Sequence, residues 1–176
     1  MTAPIAAQVL TYGRMIKFSH SIFALPFALA AFFLATLRQG FEAPKLFWVI
    51  VAMVGARSAA MGFNRWIDAE IDGKNPRTAG REIPAGALLR TEVLAFVIVS
   101  SASLIGAAWQ LNPLCLALSP VALAIVFGYS FTKRFTMLSH AVLGLSLAIA
   151  PVGAWLAVRG QFEITPIPLG LAVLFW

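Results

Sequence analysis

Asp68 and Asp72 are the only aspartates in the chain, and Asn64 stands four residues before the first of them. On a helix this spacing turns each group by about 40° and raises it by about 6 Å, so all three project from one face. Arg57, seven residues before Asn64, falls on the same stripe. Carboxylates so placed repel, and no Lys or Arg lies between them. A hard divalent cation would relieve the repulsion. Two carboxylates and an amide offer oxygen ligands that suit Mg²⁺, an ion that keeps waters and shares itself with substrate phosphates. Lys74, Arg77 and Arg81 follow closely and could hold phosphate oxygens directly. Acid, metal, diphosphate and base make a coherent constellation. A charged, solvated helix end at a membrane surface is the plainer reading of the same residues, and spacing alone leaves both open.

The elements that must position these groups are membrane helices. The 176 residues are 60% hydrophobic and 11% charged, with a mean hydropathy of +0.87, whereas a soluble domain carries about a quarter charged residues. Charge-free runs recur at Phe18–Leu37, Val93–Trp109, Leu114–Phe131 and Ala141–Val158, and Leu46–Phe63 is broken only by Arg57. Each is close to the ~20 residues that cross a bilayer core at about 1.5 Å per residue. A last run, Ile167–Trp176, is too short to span. The expectation is therefore an all-α polytopic membrane helix bundle with five complete transmembrane helices and a truncated sixth. The first run exceeds a signal-peptide core, and no clear small-residue cleavage site follows it, so it reads as an uncleaved span.

Basic residues set the orientation. With the N-terminus inside, inner segments hold Arg14, Lys17, Arg65, Lys74, Arg77, Arg81, Arg90, Lys133 and Arg134, against Arg38, Lys45 and Arg159 outside. Nine against three places the acidic stripe at the cytoplasmic face. The net charge of +6 therefore argues for lipid headgroups or a phosphorylated substrate, and no nucleic acid is expected. The lone Cys115 cannot form an internal disulfide. Residues 1–176 read as one membrane domain with short outer connections, one of them marked by Asn112-Pro113. The long inner loop, from about Asp72 to Arg90, is broken by Gly73, Pro76, Gly80, Pro84 and Gly86. Trp48, Trp109 and Trp155 read as interfacial anchors, as does Trp66 beside the acidic motif. Gly55, Gly62, Gly106, Gly128 and Gly144 read as close-packing positions. Cys115 and His140 read as packing and interfacial residues.

Asn64-Arg65-x-x-Asp68-x-x-x-Asp72 resembles the first aspartate-rich motif of the UbiA family of intramembrane prenyltransferases. The likeness extends through Asn75-Pro76-Arg77-Thr78-Ala79, Arg81, Pro84 and Gly86, and again at Tyr129-Ser130-Phe131-Thr132-Lys133-Arg134-Phe135-Thr136. Lys17-Phe18-Ser19-His20-Ser21-Ile22-Phe23-Ala24-Leu25-Pro26-Phe27-Ala28 is similar to a branch that takes 4-hydroxybenzoate, together with MqnP-type enzymes that take a dihydroxynaphthoate-type acid.

The resemblance implies nine transmembrane helices around a cavity in a bacterial inner membrane, with the active site at the cytoplasmic face. A polyprenyl diphosphate would bind with Mg²⁺, ionise at its C–O bond, and alkylate a hydroxylated aromatic carboxylic acid in ubiquinone or menaquinone biosynthesis. It assigns Asn64, Asp68 and Asp72 to the metal and makes Arg65, Lys74, Arg77 and Arg81 candidates for diphosphate and loop contacts. Arg14 and Lys17 become candidates for the acceptor carboxylate, and Tyr129, Ser130, Lys133 and Arg134 return to the same face. Arg57 is a further candidate for contact with substrate or acidic cavity residues, and His20 reads as a helix-facing hydrogen bonder with substrate contact as the alternative. The family carries a second aspartate-rich motif, and no Asp follows Asp72 here. Glu82, Glu92 and Glu163 form no pair at helical spacing. The expectation is an N-terminal part of a prenyltransferase, inactive alone. Two alternatives stay open: a transporter using the same charges, although they lie near the face and not the midplane, and a non-catalytic assembly subunit.

Overall fold

The computed structural model describes residues 5–16, 25–37, 39–136 and 139–175, and every element in them is an α-helix. In chain order these are α1 (Ile5–Met15), α2 (Leu25–Thr36), α3 (Ala43–Lys74), α4 (Arg90–Leu111), α5 (Pro113–Thr132), α6 (Ser139–Arg159) and α7 (Ile167–Leu174). Helices α3 to α6 are long and apolar enough to cross a membrane, and α2 is a shorter apolar helix. The chain is an integral membrane helix bundle. Of the first expected span, α2 supplies the outer part. Residues 18–24 lie outside the described residues, as do Thr2, Lys17, His20, Arg38 and Trp176.

The length of α3 decides where the acidic stripe sits. Its 32 residues extend about 48 Å, while the hydrocarbon core is about 30 Å thick. The apolar part ends at Phe63, so the remaining two to three turns carry Asn64, Asp68 and Asp72 past the bilayer boundary on a continuous, rigid helix. The inner loop accordingly starts later than its glycine and proline content suggested: α3 runs through Gly73 and is capped at Asn75. There Thr78 donates its hydroxyl to the Asp72 carbonyl at 3.0 Å, satisfying one of the last orphan acceptors of the helix.

Lipid tails are as apolar as leucine, so these helices are joined by close packing and by interhelical hydrogen bonds. The α2–α6 seam is lined by Ala28, Ala31, Phe32 and Ala35 against Ala154, Trp155, Ala157 and Val158, all buried. The small residues recur at three- and four-residue intervals and let the two backbones approach. At Gly55 an added Cβ would lie 3.0 Å from the Ser100 and Leu104 backbones of α4, and at Gly144 it would run into the Leu174 carbonyl of α7. Those two contacts meet the close-packing expectation, as does Gly62 against Val97 and Phe96. Gly106 and Gly128 face open space and do not.

On the end of the bundle opposite the acidic stripe, Asn112 replaces a loop. Its Oδ1 accepts the Cys115 N–H at 2.9 Å to cap α5, while its Nδ2 donates to the Leu156 and Ala157 carbonyls of α6. Trp155 is buried here, with its indole N–H donating to Glu163. It is part of the core, a correction to its reading as an interfacial anchor, because Glu163 supplies the polar partner that water would otherwise provide. Trp109 is exposed at the same end, as an anchor should be.

Arg159 and Gln161 also donate to Glu163. Their hydrogen bonds, that of Gln161 foremost, hold its carboxyl below the ordinary range. A folded-state pKa lowered in this way contributes stability that is present above the unfolded value and lost as pH falls through the folded one. The thermal stability gap between the wild-type protein and Glu163→Gln is expected to be clear at neutral pH and to close as pH falls through the lowered folded value. A gap unchanged by acid would contradict the assignment. Topology is checked by cysteine accessibility. Single cysteines at positions 74 and 133 should label from one side of the membrane, and those at 110 and 159 from the other.

Candidate functional site

The acidic stripe meets α5 along a seam that grows more polar towards the bilayer boundary. Lowest, Phe63 packs on Phe127 and Phe131, with ring centroids 4.5 and 5.8 Å apart. One step up, Asn64 donates its Nδ2 to the Ser130 hydroxyl at 3.3 Å, and Ser130 is fully buried. A turn higher, the buried Asp68 carboxylate accepts from Lys133 and, at 2.8 Å, from Arg134, which also bonds the Ile67 carbonyl at 3.0 Å. The last turn of α5 thus ends where its two cations reach Asp68. The Tyr129 carbonyl, accepting from Thr132, helps close that turn.

Asp72 is answered from its own side. Nη1 of Arg81 lies 2.7 and 2.6 Å from its two oxygens. Arg81 stands in a loop of successive turns in which Thr78 and Ala79 bond the Asn75 carbonyl and Asn75 Oδ1 accepts the Arg77 N–H. Gly86 turns the chain back at φ +71°, a left-handed conformation that costs a side-chain-bearing residue free energy. The loop is further tied to α3 by Glu82 facing Arg65 and by Arg90, which bonds Glu70 at 3.2 Å and lies over the Trp66 ring. Trp66 is therefore a platform for Arg90 as well as a boundary residue.

The repulsion between Asp68 and Asp72 is thus met by three cations from outside the motif. Arg81 was expected to serve a diphosphate, and Lys133 and Arg134 to return to the same face as candidates for substrate contact; here all three neutralise the two carboxylates. Arg65 turns to the loop. Arg14, Lys74 and Arg77 are exposed and take no part in the ion pairs to the stripe, and Lys17 lies outside the described residues. Arg57 is half-buried on the stripe, with its Nε buried and without a hydrogen-bond partner. Glu82 was not singled out in the sequence; its signal was its position as a carboxylate beside Arg81 within a basic loop.

The donor set suits a hard dication. Two carboxylates and an amide oxygen sit on one rigid face, and Asn64 uses its N–H on Ser130, which leaves its oxygen as the atom that could face an ion. Among the described residues no three His, Cys, Asp or Glu side chains gather into a metal cage. This arrangement is compatible with an ion that takes its remaining ligands from water and substrate.

The model of the UbiA prenyltransferase family matches residues 24–176. A 4-hydroxybenzoate octaprenyltransferase of Tolumonas auensis is 38% identical over 120 residues, covering 68% of this chain and 42% of that protein. A protoheme IX farnesyltransferase of Korarchaeum cryptofilum is 30% identical over 139 residues, covering 78% of this chain and 47% of its own. The chain spans less than half the length of these curated relatives. The solved apo structure of a UbiA homolog from Aeropyrum pernix K1 superposes with a TM-score of 0.82 at 35% identity, covering 90% of this chain and 60% of that one. A digeranylgeranylglyceryl phosphate synthase gives the same TM-score at 16% identity and shares the fold.

Breaking one partner from a buried ion pair costs about 3–5 kcal/mol when nothing replaces it. Arg134→Ala alone is expected to be mild because Lys133 remains on Asp68. Lys133→Ala/Arg134→Ala together should lower the melting temperature sharply, and adding Asp68→Asn should recover most of the loss. Thermal unfolding in detergent measures this; additive effects of the two single variants would contradict a shared carboxylate.

Proposed function

We propose, since the chain belongs to the UbiA prenyltransferase family, that it carries the first half of a site transferring a polyprenyl group from its diphosphate to a hydroxylated aromatic carboxylic acid, with Mg²⁺ as the cofactor. The observation that carries this reading is the buried Asp68–Asp72 pair on α3 ringed by Arg81, Lys133 and Arg134 at the bilayer boundary. A polyprenyl diphosphate is an amphiphile. Its tail belongs in hydrocarbon and its head at the boundary, and this site stands at that boundary.

Asn64, Asp68 and Asp72 would hold the Mg²⁺, which when bound adds positive charge beside the leaving diphosphate. The chain's own residues supply the rest. Arg81, Lys133 and Arg134 are charge-assisted donors within reach of the same place, able to stabilise negative charge as it develops on the departing oxygen. The C–O bond breaks with its electron pair going to the departing diphosphate, the allylic carbon bonds to the ring carbon ortho to the hydroxyl, and that carbon's proton passes to the departing diphosphate or to water. The apolar walls below, with Phe63, Phe127 and Phe131, limit water that would otherwise capture the cation. Arg14 and Lys17 are the proposed partners of the acceptor carboxylate, and Arg57 is a proposed substrate contact. The 4-hydroxybenzoate and dihydroxynaphthoate types are the acceptor classes proposed, in quinone biosynthesis at the cytoplasmic face of a bacterial inner membrane. The relatives named as protoheme farnesyltransferases favour a second reading in which the diphosphate leaves in the same way and the acceptor is haem.

The test is Mg²⁺-dependent incorporation of labelled polyprenyl diphosphate into 4-hydroxybenzoate, a dihydroxynaphthoate or haem, using membranes that contain the full-length protein. Asp68→Asn and Asp72→Asn should each nearly abolish transfer while the protein still inserts. The double variant should be little worse than either, because groups acting as a unit are not additive. Asn64→Ala should be milder. Wild-type rates from Asp68→Asn, or indifference to chelation of divalent ions, would overturn the mechanism; incorporation into haem alone would select the second reading.

A further inference from the structure

The polar contacts between the 75–89 loop and α3 come in two unlike pairs. Helix α3 presents Arg65 and, seven residues and two turns later on the same face, Asp72. The loop presents Arg81 and Glu82 side by side. Arg81 bonds both oxygens of Asp72, and Glu82 Oε2 faces Arg65 Nε at 3.9 Å. A slip of the loop by one residue in one direction would set Arg81 against Arg65, and in the other Glu82 against Asp72. Like-charge contacts of that kind exclude the wrong register as firmly as the correct pairs favour the right one.

The two pairs differ in what holds them. The Arg81 side chain is about a third exposed, at 32%, so it can turn to another anion with little change in solvation. Arg65 is 7% exposed and Glu82 18%, and the facing Nε and Oε2 are both buried with no hydrogen-bond partner. If the loop lifted, Arg65 Nε would lose the Glu82 carboxylate that faces it. The turn that follows is stiff. The Arg81 carbonyl accepts from Ala85, and the Glu82 carbonyl accepts from both Ala87 and Leu88. Leu88 is buried with Met15, Ile16 and Val93 between α1 and α4. Where Glu82 is fixed, the backbone of Arg81 is fixed too.

We propose that Glu82 is a positioning residue: through buried Arg65 it keeps the loop seated on α3 while its neighbour Arg81 exchanges Asp72 for a diphosphate. One clasp is permanent and the other is exchangeable. The exchange half of this inference rests on the diphosphate reading of the site; the clasp half does not.

The experiment uses the purified full-length protein and two readouts: the rate of trypsin cleavage within the loop, and the affinity for inorganic pyrophosphate with Mg²⁺ by calorimetry. Glu82→Leu should speed loop cleavage and weaken pyrophosphate at least about tenfold although Arg81 is intact, since removing one partner strands a buried charge. Arg65→Met/Glu82→Leu should restore both readouts to near wild type, because an apolar pair of similar volume can replace a buried ion pair. If Glu82→Leu does not accumulate in folded form, Glu82→Gln takes its place. Wild-type behaviour of the Glu82 variant, or a double variant that still loses loop protection, would overturn the proposal. A double variant with a protected loop and weak pyrophosphate binding would also overturn it, by showing that Arg65 touches the ligand itself. A wild-type protein that binds no pyrophosphate would count against the proposed function, and the cleavage rates would still judge the clasp.

Discussion

Two carboxylates buried on one helix face at the edge of a bilayer cannot stand without countercharge, and much of the inner end of this bundle is arranged around that fact. Asp68 and Asp72 are 4% and 6% exposed. In that setting the desolvation cost of an ionised carboxylate is several kcal/mol unless partners are fixed nearby. The partners come from two different directions. The end of α5 brings Lys133 and Arg134, and the inner loop brings Arg81. Each must arrive at a defined height on α3, so the lengths of α3 and α5 and the shape of the loop are all constrained by the same two side chains.

The packing below serves that requirement. α5 starts at Pro113 under the Asn112 cap and runs 20 residues, about the thickness of the hydrocarbon core. Its last turn therefore emerges at the height at which α3 turns from apolar to acidic. The Asn64–Ser130 hydrogen bond fixes the rotation of the two helices about their axes one turn beneath the ion pairs. The Gly55 approach to α4 fixes α3 from its other side. On the proposed function, this rigidity holds three cations at the two carboxylates before substrate arrives. Preorganised charge of that kind is the usual source of electrostatic rate enhancement.

The stripe itself was legible because helical spacing is a local property: residues 57, 64, 68 and 72 share a face whatever else the chain does. The membrane class and the spans from α3 to α6 were legible for the same reason. What answers the stripe was not. Lys133 and Arg134 stand more than sixty positions from Asp68, and only the path of α4 and α5 brings them back. Arg81 is near in sequence, but its aim depends on the turn closed by Gly86 and on Glu82, a residue the spacing argument passed over. Trp155 was misread because its burial depends on a glutamate eight residues on. The amphipathic α1 was not foreseen as a separate helix. Its last residue Met15, with Ile16 just beyond it, packs against Leu88 and Val93, a tertiary contact with no local signature.

On the proposed function, Asp68 and Asp72 together hold a divalent ion paired with a diphosphate. The most direct measurement is electron paramagnetic resonance of Mn²⁺, as a stand-in for Mg²⁺, titrated with the purified full-length protein in the presence of inorganic pyrophosphate. The Mn²⁺–pyrophosphate spectrum should change on addition of wild-type protein and stay unchanged with Asp68→Asn or Asp72→Asn, with both variants still folded by thermal unfolding. The same spectral change with both variants would contradict the account.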